Sequence, residues 1–209
     1  NNTVFADNKG NIAYWHGNFM PIRAANLNWD KTQNGSNLKN HWKGLHKVDE
    51  IVHSYNPKNG WIQNCNSTPY TVADSSGLKR NNFRNYMAPD GENFRGINAV
   101  RTFRNIKKID LDELIALSYN KNLPAFENLI PTFLKITKYN SNVDIQKVRD
   151  YFKTWDLKCD TASVATTLAI QWAQKIEAIK KVYIEDGEMD QVMATEHFCR
   201  NASEENMVG

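Results

Sequence analysis

Asparagine is distributed very unevenly along this chain. Of the 27 asparagines in 209 residues, 25 lie in residues 1–142 and two in residues 143–209. Asparagine favours turns and left-handed backbone and is a poor helix former, so the first part is expected to contain strands and loops. The last part is expected to be helical. The pattern predicts a strand- and loop-rich segment over residues 1–90 and a mainly helical segment over 91–209, an α+β chain.

Composition and charge exclude several classes of protein. Hydrophobic residues make up 41% and charged residues 23% of the chain, which excludes a collagen-like, coiled-coil or wholly disordered protein. The net charge is +3 with both signs interspersed, so the sequence lacks the concentrated basic face of a nucleic-acid binder. The densest basic stretch, Lys79, Arg80 and Arg84, is interpreted as a solvated loop in preference to a phosphate site. No apolar run has the length needed to cross a bilayer.

The first elements along the chain read as a β-hairpin. Residues 4–6 and 12–15 are short apolar runs, and Asp7-Asn8-Lys9-Gly10 between them has glycine where a turn needs positive φ. Two short strands do not make an independent sheet. Either they extend a sheet supplied by other sequence, or they pack on the helices as a small β layer.

The rest of the first part is predicted to be irregular. Residues 48–52 form a short element of uncertain type, and a strong turn signal at 56–60 precedes a short strand over 61–63. Residues 24–43 and 70–92 are predicted loops.

Helix signals follow in the second part. Asp110 and Glu113 have capping-box spacing and predict a helix over 110–120. Pro124 suits the first turn of the next helix, which Pro131 is expected to kink or split. Further helices are expected from an Asp144 cap to Trp155, over about 161–183 from its apolar face, and over 188–200, with fraying ends after that.

The three cysteines, Cys65, Cys159 and Cys199, form no CxxC pair, and the five histidines lack metal-ligand spacing. A zinc site is therefore not expected. The odd count leaves at least one thiol outside any disulfide, and the pairing of the other two is open.

The segment with the most chemical information is residues 60–69, predicted as a strand that runs into a turn. Asn64 and Asn66 are two residues apart, so in extended backbone their carboxamides point to one face. A carboxamide is a neutral hydrogen-bond donor at every pH, which suits the stabilisation of a developing oxyanion. The alternative is an asparagine-rich turn whose side chains bond only local backbone.

Three stretches of the chain read ADNKGNIAYWH over residues 6–16, WKGL over 42–45 and NPKNGWIQNCNSTP over 56–69. In order and spacing they resemble the large chain of the penicillin amidase family of N-terminal-nucleophile acylases. The resemblance implies that the strands belong to an αββα sheet. It covers residues 3–69 most specifically, and about 86–172 follow the order of the family.

The resemblance also implies roles for individual residues. Asn66 matches the oxyanion-hole carboxamide, and Arg95 matches an arginine that orients that carboxamide and the amine of the nucleophile. Trp61, Asn64 and Cys65 would line or support the end of the strand and contact substrate. For Arg95, an ordinary surface arginine at the start of a helix is the alternative.

Two other residues of this region, His16 and Arg23, are candidates for a role. His16 ends a strand with no nucleophile or orienting carboxylate near it in the sequence, so a structural role is favoured over a catalytic one. Arg23 is a loop arginine that the resemblance brings near substrate, although a solvated arginine is favoured.

The resemblance places the nucleophile on other sequence. Enzymes of this family attack with a Ser, Thr or Cys at the start of the large chain, and the α-amino group of that residue is the base. This chain begins Asn1-Asn2-Thr3 and matches the interior of the large chain, so we expect a fragment that is inactive alone. Its partners would be the remainder of the acylase precursor and a small N-acyl substrate, with no nucleic acid and no membrane span.

The remaining expectations concern substrate, metal and compartment. The substrate would be a linear amide, such as a penicillin, a cephalosporin or an N-acyl-homoserine lactone. The family often carries a structural calcium, but no ligands can be matched here, so no cofactor is assigned to this fragment. The family is exported to the periplasm or beyond.

Two rival functions stay open from the sequence. The first is an aromatic-rich module that binds ligands or glycans, with Trp15, Trp29, Trp42 and Trp61 as its surface; core packing of these rings is the alternative. The second is a catalytically dead relative of the acylases that serves as a scaffold.

Overall fold

A computed structural model describes residues 2–75, 78–185 and 189–208. The chain divides into two compact units. The first unit comprises residues 1–91 and 99–105, and the second comprises residues 92–98 and 106–209. The class is α+β, as the sequence predicts.

A three-stranded antiparallel sheet lies in the first unit. Its strands are β1 (Thr3–Ala6), β2 (Ile12–Trp15) and β3 (His53–Tyr55), in the order β1-β2-β3. The predicted hairpin is confirmed. The Asp7 carboxylate accepts the backbone N–H groups of Lys9 and Asn11, and Gly10 has φ +84°. The third strand was not predicted, because the uncertain element at 48–52 ends where β3 begins.

The predicted strand over residues 61–63 is wrong, and so is the fully irregular loop over 70–92. The structure has no strand at 61–63; the Gln63 N–H donates to the carbonyl of Val72 at 2.9 Å, and the chain then turns at once. Val72 opens a strand, β4 (Val72–Ser75), between short 3-10 turns at Pro69–Thr71 and Arg80–Asn82. A run of three residues before a turn is too short for pattern alone to separate strand from loop.

The first unit is held by two small apolar clusters. One contains Val52, Tyr86, Met87 and Ala88, and the other contains Tyr14, Val72 and Ala73. Tyr14 lies in the middle of β2, so the second cluster joins the sheet to β4. Side-chain hydrogen bonds supplement these clusters throughout the unit.

Seven α-helices occur in the described part of the chain. They are α1 (Phe94–Arg104), α2 (Leu111–Ser118), α3 (Phe126–Ile136), α4 (Val143–Lys153), α5 (Val164–Glu185), α6 (Gln191–Asn201) and α7 (Glu204–Val208). None of the helices within the described ranges is both long enough and apolar enough to cross a membrane.

The capping box of α2 is confirmed. The Asp110 carboxylate accepts the N–H of Glu113, and the Glu113 carboxylate accepts the N–H of Asp110. The cap of α4 differs from the prediction: Asn142 accepts the N–H groups of Asp144 and Ile145, so Asp144 lies in the first turn.

Two predictions about helix ends are corrected. Pro131 does not split α3, because Leu129, Ile130 and Phe133 are buried on both sides of it and hold the helix in place. The end of the chain does not simply fray either: Met207 in α7 is fully buried, and its carbonyl accepts the indole N–H of Trp172. The helix predicted over 188–200 corresponds to α6, and residue 188, its predicted start, lies outside the described residues.

The core of the second unit is aromatic and is formed by α3 to α7. The Phe133 ring packs edge-on against Phe152 at 5.3 Å and against Trp172 at 5.2 Å between ring centroids. The buried Arg149 reaches the Leu134 carbonyl and the Thr137 hydroxyl, each at 2.7 Å, so its charge is hydrogen-bonded within the core. The aromatic rings pack there with aliphatic side chains such as Leu129, Ile130 and Ile176.

Leu129→Ala should lower the free energy of unfolding by about 2–5 kcal/mol, because it leaves a cavity at a side chain that is 1% exposed. Leu111→Ala, the same substitution at a side chain that is 71% exposed, should stay within about 0.5 kcal/mol of the parent. Denaturant unfolding of both variants measures the difference. Equal effects at the two positions would contradict this core.

Candidate functional site

Residues 64–68, called here the Asn66 turn, contain the predicted site. The Asn64 side-chain carbonyl accepts the N–H of Asn66 at 3.1 Å, and Asn66 has φ +53°. This left-handed conformation is one that asparagine adopts more readily than most residues. The two carboxamides therefore do not point to one face of a strand as predicted. The turn has already begun at Asn64, whose side chain accepts the backbone N–H of Asn66.

Backbone hydrogen bonds fix both ends of the Asn66 turn. Before it, the Gln63 N–H donates to the Val72 carbonyl at 2.9 Å; after it, the Thr68 N–H donates to the Gly91 carbonyl at 2.9 Å. Gln63 and Thr68 are 6% and 9% exposed. The ends are thus buried, while the side chains of Asn64 and Asn66 are exposed.

The other residues of the predicted site lie as follows. Trp61 is half-buried and stacks on Phe103 with ring centroids 5.6 Å apart, and Cys65 is half-buried inside the turn. Arg95 is an exposed residue of α1 and belongs to the second unit, whereas Asn66 belongs to the first. The oxyanion role of Asn66 and the orienting role of Arg95 stay predictions.

His16 has the carboxylate partner that its sequence neighbourhood lacks. Its Nε2 lies 3.0 Å from Oδ2 of Asp90, and its Nδ1 lies 3.0 Å from the hydroxyl of Tyr14. With the proton on Nε2 directed to Asp90, Nδ1 accepts from Tyr14. The hydrogen bond from His16 lowers the pKa of Asp90, and burial raises the pKa of Tyr14. Sequence reasoning missed this trio because Asp90 is distant along the chain.

The His16–Asp90 pair is connected to the Asn66 turn through the chain itself. Asp90 precedes Gly91, whose carbonyl anchors Thr68. Arg80 holds the segment over residues 88–91 by donating to the carbonyls of Ala88 and Asp90 at 3.0 and 3.3 Å. Its guanidinium also packs over the Tyr70 ring. Arg80 is exposed, in line with its interpretation as a solvated residue, and it makes these contacts in addition.

A second chain of carboxylate, imidazole and phenol lies in the same unit. Glu50 bonds His46 Nδ1 at 2.9 Å, and His46 Nε2 bonds the hydroxyl of Tyr86 at 2.9 Å. The hydrogen bond from His46 lowers the pKa of Glu50. The Tyr86 hydroxyl also accepts the backbone N–H of Arg23 at 3.3 Å.

Arg23 is not the solvated arginine that the sequence favours. It is half-buried, and its guanidinium lies over the rings of Trp29, Trp42 and Tyr86. Aromatic spacing in the sequence could not show this, because the rings lie 6, 19 and 63 positions from Arg23 along the chain.

Most of the tryptophans proposed for a binding surface pack within the chain. Trp15 stacks on His53, Trp61 stacks on Phe103, and the Trp29 indole donates to the carbonyl of Ala24. Of the six tryptophans, all within the described residues, Trp42 is the exposed one, at 61%. Trp15, Trp29 and Trp61 therefore pack inside the chain, which is the alternative to a glycan-binding surface.

No group of three or more His, Cys, Asp or Glu side chains in the described part of the chain is placed to hold a metal ion, so we assign no calcium ligands. No disulfide bond joins the three cysteines, all of which are described. Burial raises the pKa of the Cys199 thiol.

One comparison with known proteins bears on these observations. The family model described as penicillin amidase matches residues 1–206, which is nearly the whole chain. The matched residues include the Asn66 turn, Arg95, and the two hydrogen-bonded groups centred on His16 and His46.

Asp90→Asn should reduce stability at pH 6 by less than about 1 kcal/mol, since the carboxylate is 45% exposed. The folded-state pKa of Asp90 is lowered, so its contribution is present above the ordinary value of 3.8 and is lost as the pH falls below it. Urea unfolding at pH 6, 4 and 3 should show the gap between wild type and variant closing on acidification.

Asp30→Asn, at an exposed aspartate of the same unit, is the control and should show no such closing gap. A gap for Asp90→Asn that stays constant down to pH 3 would exclude the ion pair with His16 as its source.

Proposed function

Because this chain belongs to the penicillin amidase family, a family of amidohydrolases, we propose that it supplies the oxyanion-hole carboxamide of an acylase that hydrolyses linear N-acyl amides. The observation that carries the proposal is the Asn66 turn. It presents an exposed carboxamide from a segment whose two ends are buried and hydrogen-bonded.

The chemistry of a carboxamide suits this role. Its NH₂ group donates a hydrogen bond without carrying a charge, so it favours the tetrahedral oxyanion without the cost of burying a cation. A donor stabilises a transition state best when its position is set in advance, which avoids reorganisation during the reaction. The anchors at Gln63 and Thr68 provide such preorganisation.

The attacking group in this proposal lies outside the 209 residues, because the chain resembles the interior of the family's large chain. A terminal Ser hydroxyl attacks the amide carbonyl, and its own α-amino group takes the proton. The oxyanion forms against Asn66, the amine leaves, and water hydrolyses the acyl-enzyme. Arg95 is proposed to support the same centre as an orienting cation, and Trp61, Asn64 and Cys65 are proposed to line it.

The partner of this chain is proposed to be the remainder of the acylase precursor. In the first unit, large apolar side chains are exposed on both faces of the short β1 strand and along the following loops. They include Val4, Phe5, Phe19, Leu38, Leu45 and Val48. Burial of such a surface by further polypeptide would remove its apolar area from water. From the family resemblance, we propose that the whole enzyme acts in the periplasm or outside the cell.

The substrate class is proposed from the family alone: penicillins, cephalosporins, N-acyl-homoserine lactones or related N-acyl compounds. A catalytically dead scaffold is the remaining rival. Activity of the complete protein separates the two.

Asn66→Gly in the complete acylase tests the role of the carboxamide. Glycine adopts φ +53° without strain, so the turn is kept while the donor is removed. We expect kcat for a phenylacetyl amide to fall by about 10²–10³-fold with KM little changed. Thermal unfolding checks that the variant is folded at the temperature of the assay.

Asn56→Gly is the matched control, because Asn56 is also an exposed asparagine with positive φ, +45°, in the same unit. It should lower stability by removing the hydrogen bond to the Ile12 N–H and leave kcat unchanged. An Asn66→Gly enzyme with the rate of the parent would remove Asn66 from the mechanism.

The 209-residue chain alone should release no amine from phenylacetyl or long-chain acyl amides, because the proposed nucleophile is on other sequence. The measurement is amine release above a buffer blank. Turnover that survives purification to homogeneity would show that the attacking group is within these residues.

A further inference from the structure

Arg23 is held in an aromatic cage in the first unit. Its guanidinium carbon lies 5.5 Å from the ring centroid of Trp29, 5.6 Å from that of Trp42 and 5.9 Å from that of Tyr86. Cation–π contacts of this kind fix the plane and position of a guanidinium. Arginine stacks on rings through its faces, which leaves its N–H groups at the edge for a planar acceptor.

The donors of Arg23 lack acceptors. Nε is buried and has no hydrogen-bond partner, and the terminal amino groups meet no acceptor or carboxylate among residues 2–75, 78–185 and 189–208. Arg104, by contrast, is bidentate on Asp74, while the buried Arg149 reaches two oxygens through one terminal amino group and has an Nε without a partner, as Arg23 does. The buried Nε–H of Arg23 is therefore an unsatisfied donor, and a buried donor of this kind is costly until an acceptor binds it.

The backbone that carries Arg23 is firmly placed. Ile22 exchanges hydrogen bonds with the facing segment, donating to the Gly44 carbonyl at 2.9 Å and accepting from the Lys43 N–H at 3.0 Å. The Arg23 N–H donates to Tyr86, whose hydroxyl is held in turn by His46 and Glu50. The cage is therefore built before any ligand arrives.

The shape of the Arg23 guanidinium selects the class of anion, and two carboxylates lie near it. The Glu50 carboxylate is beside Tyr86 through His46, and Asp30 lines a cavity of about 390 Å³ that shares Trp29 and Tyr86 with the cage. The single guanidinium fork of Arg23 matches one carboxylate through two parallel hydrogen bonds. Trp42 is 61% exposed, so its ring is available to stack on the flat apolar part of a ligand.

We propose that Arg23, caged by Trp29, Trp42 and Tyr86, binds the carboxylate of a monoanionic ligand with a flat apolar body. This site goes beyond the proposed oxyanion role of Asn66 and does not depend on it. The carboxylate comes either from a free ligand or from an Asp or Glu side chain elsewhere in the complete protein, and the arms of the test separate the two sources.

Calorimetric titration of the complete protein with sodium benzoate is the first arm, with uncharged benzamide as the isostere. Wild type should bind benzoate saturably and benzamide at least about tenfold more weakly. Arg23→Met should weaken benzoate binding by about tenfold or more, and Arg23→Lys, which keeps the charge and loses the fork, should weaken it less. Arg84→Met, the same change at an exposed arginine, should bind like wild type.

Thermal unfolding identifies a carboxylate supplied by the protein itself. In that case benzoate is not taken up, and the difference in melting temperature between wild type and Arg23→Met closes as the pH falls from 7 to about 3.5, because the partner protonates. Glu50, His46 and Asp30 lie near the cage and also titrate over this range, so the comparison is repeated in an Asp30→Asn, Glu50→Gln background, where the closing difference should persist. Absence of benzoate binding together with a difference that is independent of pH would overturn the proposal.

Failure of the proposed function gives a different result. Asn66→Gly should bind benzoate like wild type whether or not its catalytic rate falls. Benzamide that binds as tightly as benzoate, or an Arg23→Met variant that binds as tightly as wild type, would also overturn the carboxylate site.

Discussion

The hydrogen bonds from Gln63 to Val72 and from Thr68 to Gly91 fix both ends of the turn that carries Asn66. They bury the ends of a five-residue turn and leave its centre exposed. Within the turn, the Asn64 side chain holds the Asn66 N–H, and the left-handed backbone of Asn66 directs the next residues back towards Gly91. The backbone of Asn66 is thus placed before any ligand binds, which the proposed oxyanion role needs.

The first unit depends on polar side chains to an unusual degree, because its sheet and apolar clusters are small. Asparagine and aspartate side chains repeatedly accept the N–H two residues ahead, as in the pairs 7–9, 28–30, 34–36, 37–39 and 64–66. Two imidazoles connect segments that are far apart in sequence, His16 to Asp90 and His46 to Tyr86. This explains why 17 of the 27 asparagines lie in residues 1–90, before the first α-helix.

The sequence predicts the local features well and the long-range ones poorly. The β1–β2 turn and the capping box at Asp110 were predictable because each is set by residues within four positions. The family was recognisable from motifs in the first 69 residues, and the model of that family matches residues 1–206. The Asp90 partner of His16 and the rings around Arg23 were not predictable, because they come from elements that pack together only in the folded unit.

The central claim is that Asn66 donates to the oxyanion of the tetrahedral intermediate. The most direct measurement is a crystal structure of the complete acylase inhibited by a phenylacetyl phosphonate, whose oxygen mimics that oxyanion. This account predicts the Asn66 Nδ2 atom about 2.7–3.1 Å from the phosphonyl oxygen. A carboxamide directed away from that oxygen, with another group in the donor position, would contradict it.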